Sequence, residues 1–175
     1  MNEELLDVLD EIGNKTGEIE TRKIVHEKGL WHRVAMVAVI DNKGKILMQK
    51  RATKLKTNPG KWDVTAVGHV TSGQDTIQTA IRELDEEVSI KVKEDELEYI
   101  FSYNQHSERE NYIDNRFYDF YIVRKDVIDV NSLTIQESEV DEIKLCSYEE
   151  IREMERNGIT MKREKVFNEL EKYLK

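Results

Sequence analysis

Apolar positions in this chain fall into short runs divided by polar turns. Leu5, Leu6, Val8, Leu9 and Ile12 precede Gly13-Asn14-Lys15-Thr16-Gly17, a strong turn signal. Residues 1–30 are therefore expected to hold a small hairpin and one helical turn near residues 21–26. Residues 34–40 form an apolar, β-branched run too short for an ordinary helix and read as a buried strand. Asp41-Asn42-Lys43-Gly44 turns the chain into a partner strand over 45–51. A basic loop with the only proline, Pro59, leads to a short strand over 62–67. The period then changes: Ile77, Ala80, Ile81, Leu84 and Val88 recur at three and four, which predicts an amphipathic helix over 76–88. Strands are expected at 97–103, 117–123 and 142–146, with a polar loop over 104–115 and an acidic connection over 134–141. Ser147 with Glu150 three residues on is a capping-box pattern, and Gly158 ends that helix. A last amphipathic helix over 161–174 puts Val166, Phe167, Leu170 and Leu174 on one face. The sum is an α+β sandwich, helices outside a largely β core.

Length and charge narrow the picture. A chain of 175 residues suits one domain with a proper core. The net charge of −9 argues against a nucleic acid polymer or an anionic membrane as partner. The single cysteine, Cys146, leaves no internal disulfide and no cysteine zinc site, which suits a reducing cytoplasm. No apolar run approaches the ~20 residues that cross a bilayer. The acidic start, Met1-Asn2-Glu3-Glu4, lacks the features of a signal peptide.

The chemistry concentrates on the helix over 76–88 and the loop before it. Glu83 and Glu87 are four apart and share one edge of the apolar stripe, while Glu86 lies further round toward solvent. Acid-rich helices are commonly solvated faces. Here the stripe fixes the helix on a core, and a loop bounded by Gly68 and Gly73 can bring backbone close to a ligand. Carboxylates in that setting suit a hard cation such as Mg²⁺ shared with a phosphate.

Gly68, five residues, Gln74, seven residues, then Arg82-Glu83-Leu84-Asp85-Glu86-Glu87-Val88-Ser89-Ile90 resembles the Nudix box, Gly-x5-Glu-x7-Arg-Glu-U-x-Glu-Glu-x-Gly-U with U aliphatic. The resemblance implies a single Nudix domain over 1–175, an α/β/α sandwich around a mixed sheet, and Mg²⁺-dependent hydrolysis of a diphosphate bond, with Mn²⁺ as the alternative cofactor. It implies a small-molecule diphosphate partner and admits a homodimer. Glu83, Glu86, Glu87 and the Gly68 carbonyl would serve the metal, Glu86 and Arg82 would belong to the catalytic set, and Arg82 would orient the carboxylates. Two positions depart from the pattern: Gln74 replaces a glutamate, and Ser89 replaces a glycine near the helix end. A base or water-orienting acid is expected from outside the box; Glu108, Glu110, Glu137, Glu139 and Glu142 are candidates, with Glu139 preferred. Lys50, Arg51, Lys54 and Lys56 are candidate phosphate contacts, and Trp62 and Tyr103 candidate stacking surfaces; Arg51, Lys54 and Trp62 lead.

The flanks resemble the isopentenyl-diphosphate isomerase-like branch, through His26, Gly29-Leu30-Trp31-His32-Arg33 and Gly68-His69. That likeness implies a second metal at His26, His32 and His69. Isomerase chemistry needs a cysteine where this chain has Val67, which can neither give nor take a proton. A later acid of that branch falls in Asp114-Asn115-Arg116, where Arg116 has the wrong charge for a ligand. Three readings follow: a Nudix hydrolase, an isomerase disfavoured by Val67, and a nucleotide-binding domain without turnover, kept open by Gln74.

Overall fold

A computed structural model of the chain describes residues 3–110 and 112–174. Met1 and Asn2 of the acidic start, Asn111 of the expected polar loop and the terminal Lys175 lie outside the described residues.

The expected hairpin forms from β1 (Leu5–Leu9) and β2 (Lys15–Thr21), paired antiparallel. Thr21 caps α1 (Arg22–Lys28) by accepting from the Ile24 amide, which tends one of the donors a helix start leaves free.

Everything is hung on β3 (Trp31–Asp41), which pairs with β1, with β4 (Ile46–Arg51), with β6 (Ala66–His69) and, in parallel, with β8 (Tyr112–Lys125). Its stretch over 34–40 is apolar throughout because both faces are covered. Val34, Met36, Ala38 and Ile40 join one core with Ile151, Val166, Phe167 and Leu170. Ala35, Val37 and Val39 join another with Ala80, Leu84 and Val88. The first set is met by α3 (Tyr148–Arg156) and α4 (Glu164–Leu170), the second by α2 (Thr76–Val88). A strand of period two with apolar side chains on both faces thus dictates helix, sheet, helix. A short β5 (Trp62–Asp63) and β9 (Val140–Cys146) pair with β4, and β7 (Leu97–Arg109) pairs with β8, completing a mixed sheet of nine strands among the described residues.

Caps fix α2 at both ends. Asp75 and Gln78 exchange hydrogen bonds in a capping box. Ser89 takes the left-handed conformation at φ 54°, and the Ile90 amide reaches the Leu84 carbonyl. This is the position where glycine is usual; a serine there costs about 1 kcal/mol, partly offset because Ser89 Oγ accepts from the Thr134 amide at 2.8 Å.

Three expectations change. The polar loop over 104–115 is the tip of the β7–β8 hairpin, with His106 opposite Asn115 and Gln105 opposite Arg116. Its side chains are too polar to show an apolar alternation, and the cross-strand ladder alone makes it β. The strand over 62–67 is two pieces, because Trp62 and Asp63 follow β4 while Ala66 to His69 follow β3. Between them Thr65 Oγ1 donates to the Leu47 carbonyl and accepts from the Val39 amide. The final helix is shorter than 161–174: the Met161 amide donates to the Trp62 carbonyl, and Arg163 Nε and Nη2 grip both oxygens of buried Asp63 at 3.0 and 2.8 Å. Those bonds hold 161–163 outside the helix, and α4 begins after them.

Candidate active site

The C-terminal part of α2 stands beside β6, with Glu83 and Glu87 turned to the sheet and Glu86 outward. Gly68 on β6 makes that approach feasible. A side chain there would overlap the Glu83 carboxylate. Steric room, not backbone conformation, therefore explains the glycine; only Gly73 of the two loop glycines has positive φ.

Arg82 bridges Glu83 Oε1 at 2.8 Å and Glu86 Oε2 at 3.0 Å, and also donates to the His69 carbonyl at 3.4 Å. It fills its acid contacts from the helix itself. Gln74 plays no part in this pairing; its Oε1 accepts from Thr79 Oγ1. Glu87 is 6% exposed and its Oε2 accepts from Gln49 Nε2 at 2.8 Å and from the Val67 amide at 3.4 Å. Burial pushes Glu87 well above the usual carboxylate range, reinforced by the neighbouring Glu83 charge. Burial likewise pushes Glu83 up to about 7, against the pull of Arg82. Two buried carboxylates that resist ionising side by side, with oxygen donors and no compensating cation at Glu87, fit a hard divalent ion.

Three acids reach this cleft from outside α2: Glu4 and Asp114, which face Arg22 and Arg116, and Glu139. Glu139 lines it together with Gln136. Their loop is pinned in three places: the Thr134 amide to Ser89 Oγ, the Gln136 amide to the Glu87 carbonyl, and the Glu139 carbonyl to the Ala52 amide. Of the other candidate acids, Glu142 faces Lys50 at 3.8 Å, and Glu108 lines an adjoining cavity instead.

The cleft is about 220 Å³ and is walled by Arg22, Arg51, Arg82, Arg109, Arg116 and Arg163, with no lysine among the described residues. Arg51 is thus brought to the cleft. Lys54 does not line it, and Trp62 does not either. Trp62 is 9% exposed and packs in the core beneath α3 and α4, so it offers no stacking surface. Tyr103 packs against that same core. Val67 does line the cleft, beside Glu87.

The three histidines converge beside this cleft, from α1, β3 and β6, and His69 lines it. Their ligand atoms lie within 4.8 Å of one another, and all three are buried. His32 Nδ1 faces the Leu30 carbonyl at 3.1 Å, which leaves Nε2 bare toward the cluster. That atom, His69 Nε2 and both ring nitrogens of His26 have no hydrogen-bond partner. Burial drives His26 down to about 4 and His32 to about 3, and takes His69 well below its usual value, so all three are neutral at pH 7. Neutral imidazoles with bare nitrogens suit a borderline transition metal. Asp114 Oδ1 lies 3.7 Å from His26 Nδ1 and 3.8 Å from His32 Nε2. The parallel register sets Arg116 opposite His32, and its Nε donates to Asp114 Oδ1 while Nη1 and Nη2 donate to Tyr118 and Tyr112. Arg116 thus makes the contact to Asp114 and supplies no ligand.

Sequence reasoning missed Gln49, Asn58 and Arg109. A glutamine within the buried run Ile46-Leu47-Met48-Gln49 was a usable signal. The positions of Asn58 and Arg109 depend on a loop and a hairpin tip meeting in space, for which no local pattern exists.

Comparison with known proteins bears on the family and the fold. Nudix hydrolase 3 of Arabidopsis thaliana is 35% identical over 156 residues, which is 87% of this chain and 20% of that protein. The chain therefore spans about a fifth of that relative's length. A Clostridium acetobutylicum protein named as an uncharacterised Nudix hydrolase is 36% identical over 143 residues, 80% of this chain and 68% of its own. An isopentenyl-diphosphate Delta-isomerase of Serratia proteamaculans is 31% identical over 91 residues, 52% of this chain and 50% of its own. Among solved structures, a Deinococcus radiodurans protein superposes with TM-score 0.74 at 17% identity, covering 97% of this chain and 98% of that one. The NUDIX domain of Shewanella oneidensis NrtR, complexed with ADP ribose, gives 0.63 at 14%, covering 82% and 88%. A bifunctional NMN adenylyltransferase/ADP ribose pyrophosphatase of Francisella tularensis, complexed with AMP and a Mn ion, gives 0.61 at 16%, covering 82% and 42%. These structural likenesses bear out the expected α/β/α sandwich. The family model described as NUDIX domain matches residues 30–169, and the chain belongs to that family.

Proposed function

We propose that this chain hydrolyses a diphosphate bond in a nucleoside diphosphate derivative or a related phosphometabolite, using Mg²⁺, with Mn²⁺ as substitute. One observation carries the reading: Glu83, Glu86 and Glu87 from α2 and Glu139 from a pinned loop meet in one cleft walled by arginines.

Glu83, Glu87, Glu86 and the Gly68 carbonyl would hold the cation. When bound, it neutralises phosphate charge and makes a water easier to deprotonate. Glu139 takes a proton from the water that attacks phosphorus, and the bridging P–O bond breaks to leave two phosphate-ended products. Arg82 keeps Glu83 and Glu86 in place. Arg51, whose Nε and Nη2 are held by the Asn58 and Thr57 carbonyls, donates to a phosphate oxygen through Nη1. Val67 offers no proton where the isomerase reading requires one, which favours hydrolysis. The trio His26, His32 and His69 would hold a second, softer metal beside Asp114.

Purified protein with Mg²⁺ or Mn²⁺, offered ADP-ribose, nucleoside di- and triphosphates and isopentenyl diphosphate, tests the reading. Glu139→Gln is expected to lower kcat by about 10²–10⁴ with KM little changed. Metal-dependent release that survives in Glu87→Gln would sink the metal assignment. Isomer formation without phosphate release would restore the isomerase reading. Nucleotide binding without any turnover would favour the binding-module reading that Gln74 keeps open. Metal analysis of the purified protein, against a His32→Ala variant, tests the histidine site.

A further inference from the structure

The cleft holds six arginines, and four of them face a carboxylate. Arg22 meets Glu4, Arg82 meets Glu83 and Glu86, Arg116 meets Asp114, and Arg163 meets Asp63. Arg51 and Arg109 have no ion-pair partner among the described residues. Both are held by the same residue instead. Arg51 Nε donates to the Asn58 carbonyl at 3.3 Å, with Nη2 on the Thr57 carbonyl at 3.1 Å. Arg109 Nη2 donates to Asn58 Oδ1 at 2.6 Å. Asn58 adopts a left-handed φ of 48°, a conformation that asparagine tolerates and most side chains avoid. The strand end at Arg51 and the hairpin tip at Arg109 are thereby joined through one residue, Arg51 by its backbone carbonyl and Arg109 by its side chain.

Asn58 lies where the chain changes compartment. It lines the 220 Å³ cleft and also an adjoining cavity of about 570 Å³, as does Arg109. Lys61 and Lys162 stand on the wall of that cavity with Glu108, Glu155 and Glu164, and neither lysine makes an ion pair among the described residues; Lys61 Nζ donates to the Gly158 carbonyl. The α2 carboxylates line only the first compartment. Charge that is left uncompensated in a cleft, on side chains held by neutral groups, is arranged for an anion that arrives with the substrate. Guanidinium forks match phosphate and carboxylate oxygens, and in a diphosphate-cleaving site the anion that arrives is a phosphate.

We propose that Arg51 and Arg109, aligned by Asn58, form a subsite for a phosphate of the substrate beyond the diphosphate that is cleaved. The preferred substrate class is then a diphosphate bearing at least one further phosphoryl group. This rests on the diphosphate-hydrolase reading for its position in the reaction, but the binding itself does not. Substrates with an apolar group in place of that phosphate leave the two guanidiniums unpaired.

The test uses adenosine di- and triphosphate with methylene groups at their phosphate bridges, titrated calorimetrically into the whole chain with Mg²⁺. Cleavage is blocked, so affinity is read without turnover. The wild type is expected to bind the triphosphate about tenfold tighter. Arg109→Gln is expected to bring that ratio to within about twofold while leaving diphosphate affinity and Tm nearly unchanged. Asn58→Asp, which sets a carboxylate against the Arg109 guanidinium, is expected to do the same. Equal affinity of the two ligands in the wild type overturns the proposal, and so does a ratio that Arg109→Gln leaves intact. Equal weakening of both ligands in Arg109→Gln overturns it as well, because a general cleft role predicts that result. Absence of hydrolysis with natural nucleotides would count against the proposed reaction and leave this measurement standing.

Discussion

Gln49 Nε2 donates to Glu87 Oε2 at 2.8 Å, so a strand side chain fixes the most buried acid of the α2 cluster. Gln49 is itself 3% exposed. Such a partner sets which oxygen of Glu87 faces a ligand. Replacing Gln49 with leucine keeps the volume and removes the donor. Glu87 then retains only the long contact from the Val67 amide. The expected outcome is a 10–100-fold weaker half-saturation by Mg²⁺ with an unchanged circular dichroism spectrum. A metal titration of activity checks it; an unchanged titration means Glu87 needs no such support.

Gly68 is required for steric reasons. A methyl group there overlaps the Glu83 carboxylate. Gly68→Ala must push Glu83 off the cleft wall, because the other side of the contact is β6 backbone in the sheet. Activity is expected to fall at least a hundredfold, with a loss of stability of about 1–3 kcal/mol. Chemical denaturation and steady-state rates together report it. Full activity would show that Glu83 is not needed where it stands.

Gln74 departs from the Nudix box, yet Arg82 already spans Glu83 and Glu86 without it. Restoring the usual acid by Gln74→Glu is therefore expected to change kcat/KM by less than about threefold. A gain of tenfold or more would show that the missing charge limits turnover.

The histidine trio gives the metal-free protein a definite pH response. Burial holds the folded values below 6.5, with His26 at about 4 and His32 at about 3. As pH falls below 6.5, the unfolded chain gains protons at these residues that the folded chain refuses, so stability is lost on acidification. Each histidine is expected to cost on the order of 2 kcal/mol between pH 6.5 and pH 5. Denaturation curves in chelator at the two pH values check the slope, and His32→Gln should flatten it. A slope unaltered in that variant would place the response elsewhere.

Much of the site could be read locally. The 3.6-residue period puts Glu83 and Glu87 on one helix edge whatever surrounds the helix, and the same period sends Glu86 outward. The capping box at Ser147 and the left-handed turn at Ser89 are equally local, since each depends on a few adjacent residues. The doubly buried β3 was legible because its run is apolar on both faces.

What the tertiary structure decided is which distant groups share a volume. Glu139 enters the cleft through a loop tied to Ser89, Glu87 and Ala52. Arg116 stands beside His32 through the parallel register of β3 and β8, over eighty residues apart in the chain. Asn58 joins Arg51 and Arg109 only when the hairpin tip folds over the basic loop. Trp62 and Lys54 carry suitable chemistry in the sequence, but the split strand turns one into the core and the loop carries the other away from the cleft. A side chain's type and its local period are written in its neighbours; its distant partners follow from strand register and loop closure, which no single segment encodes.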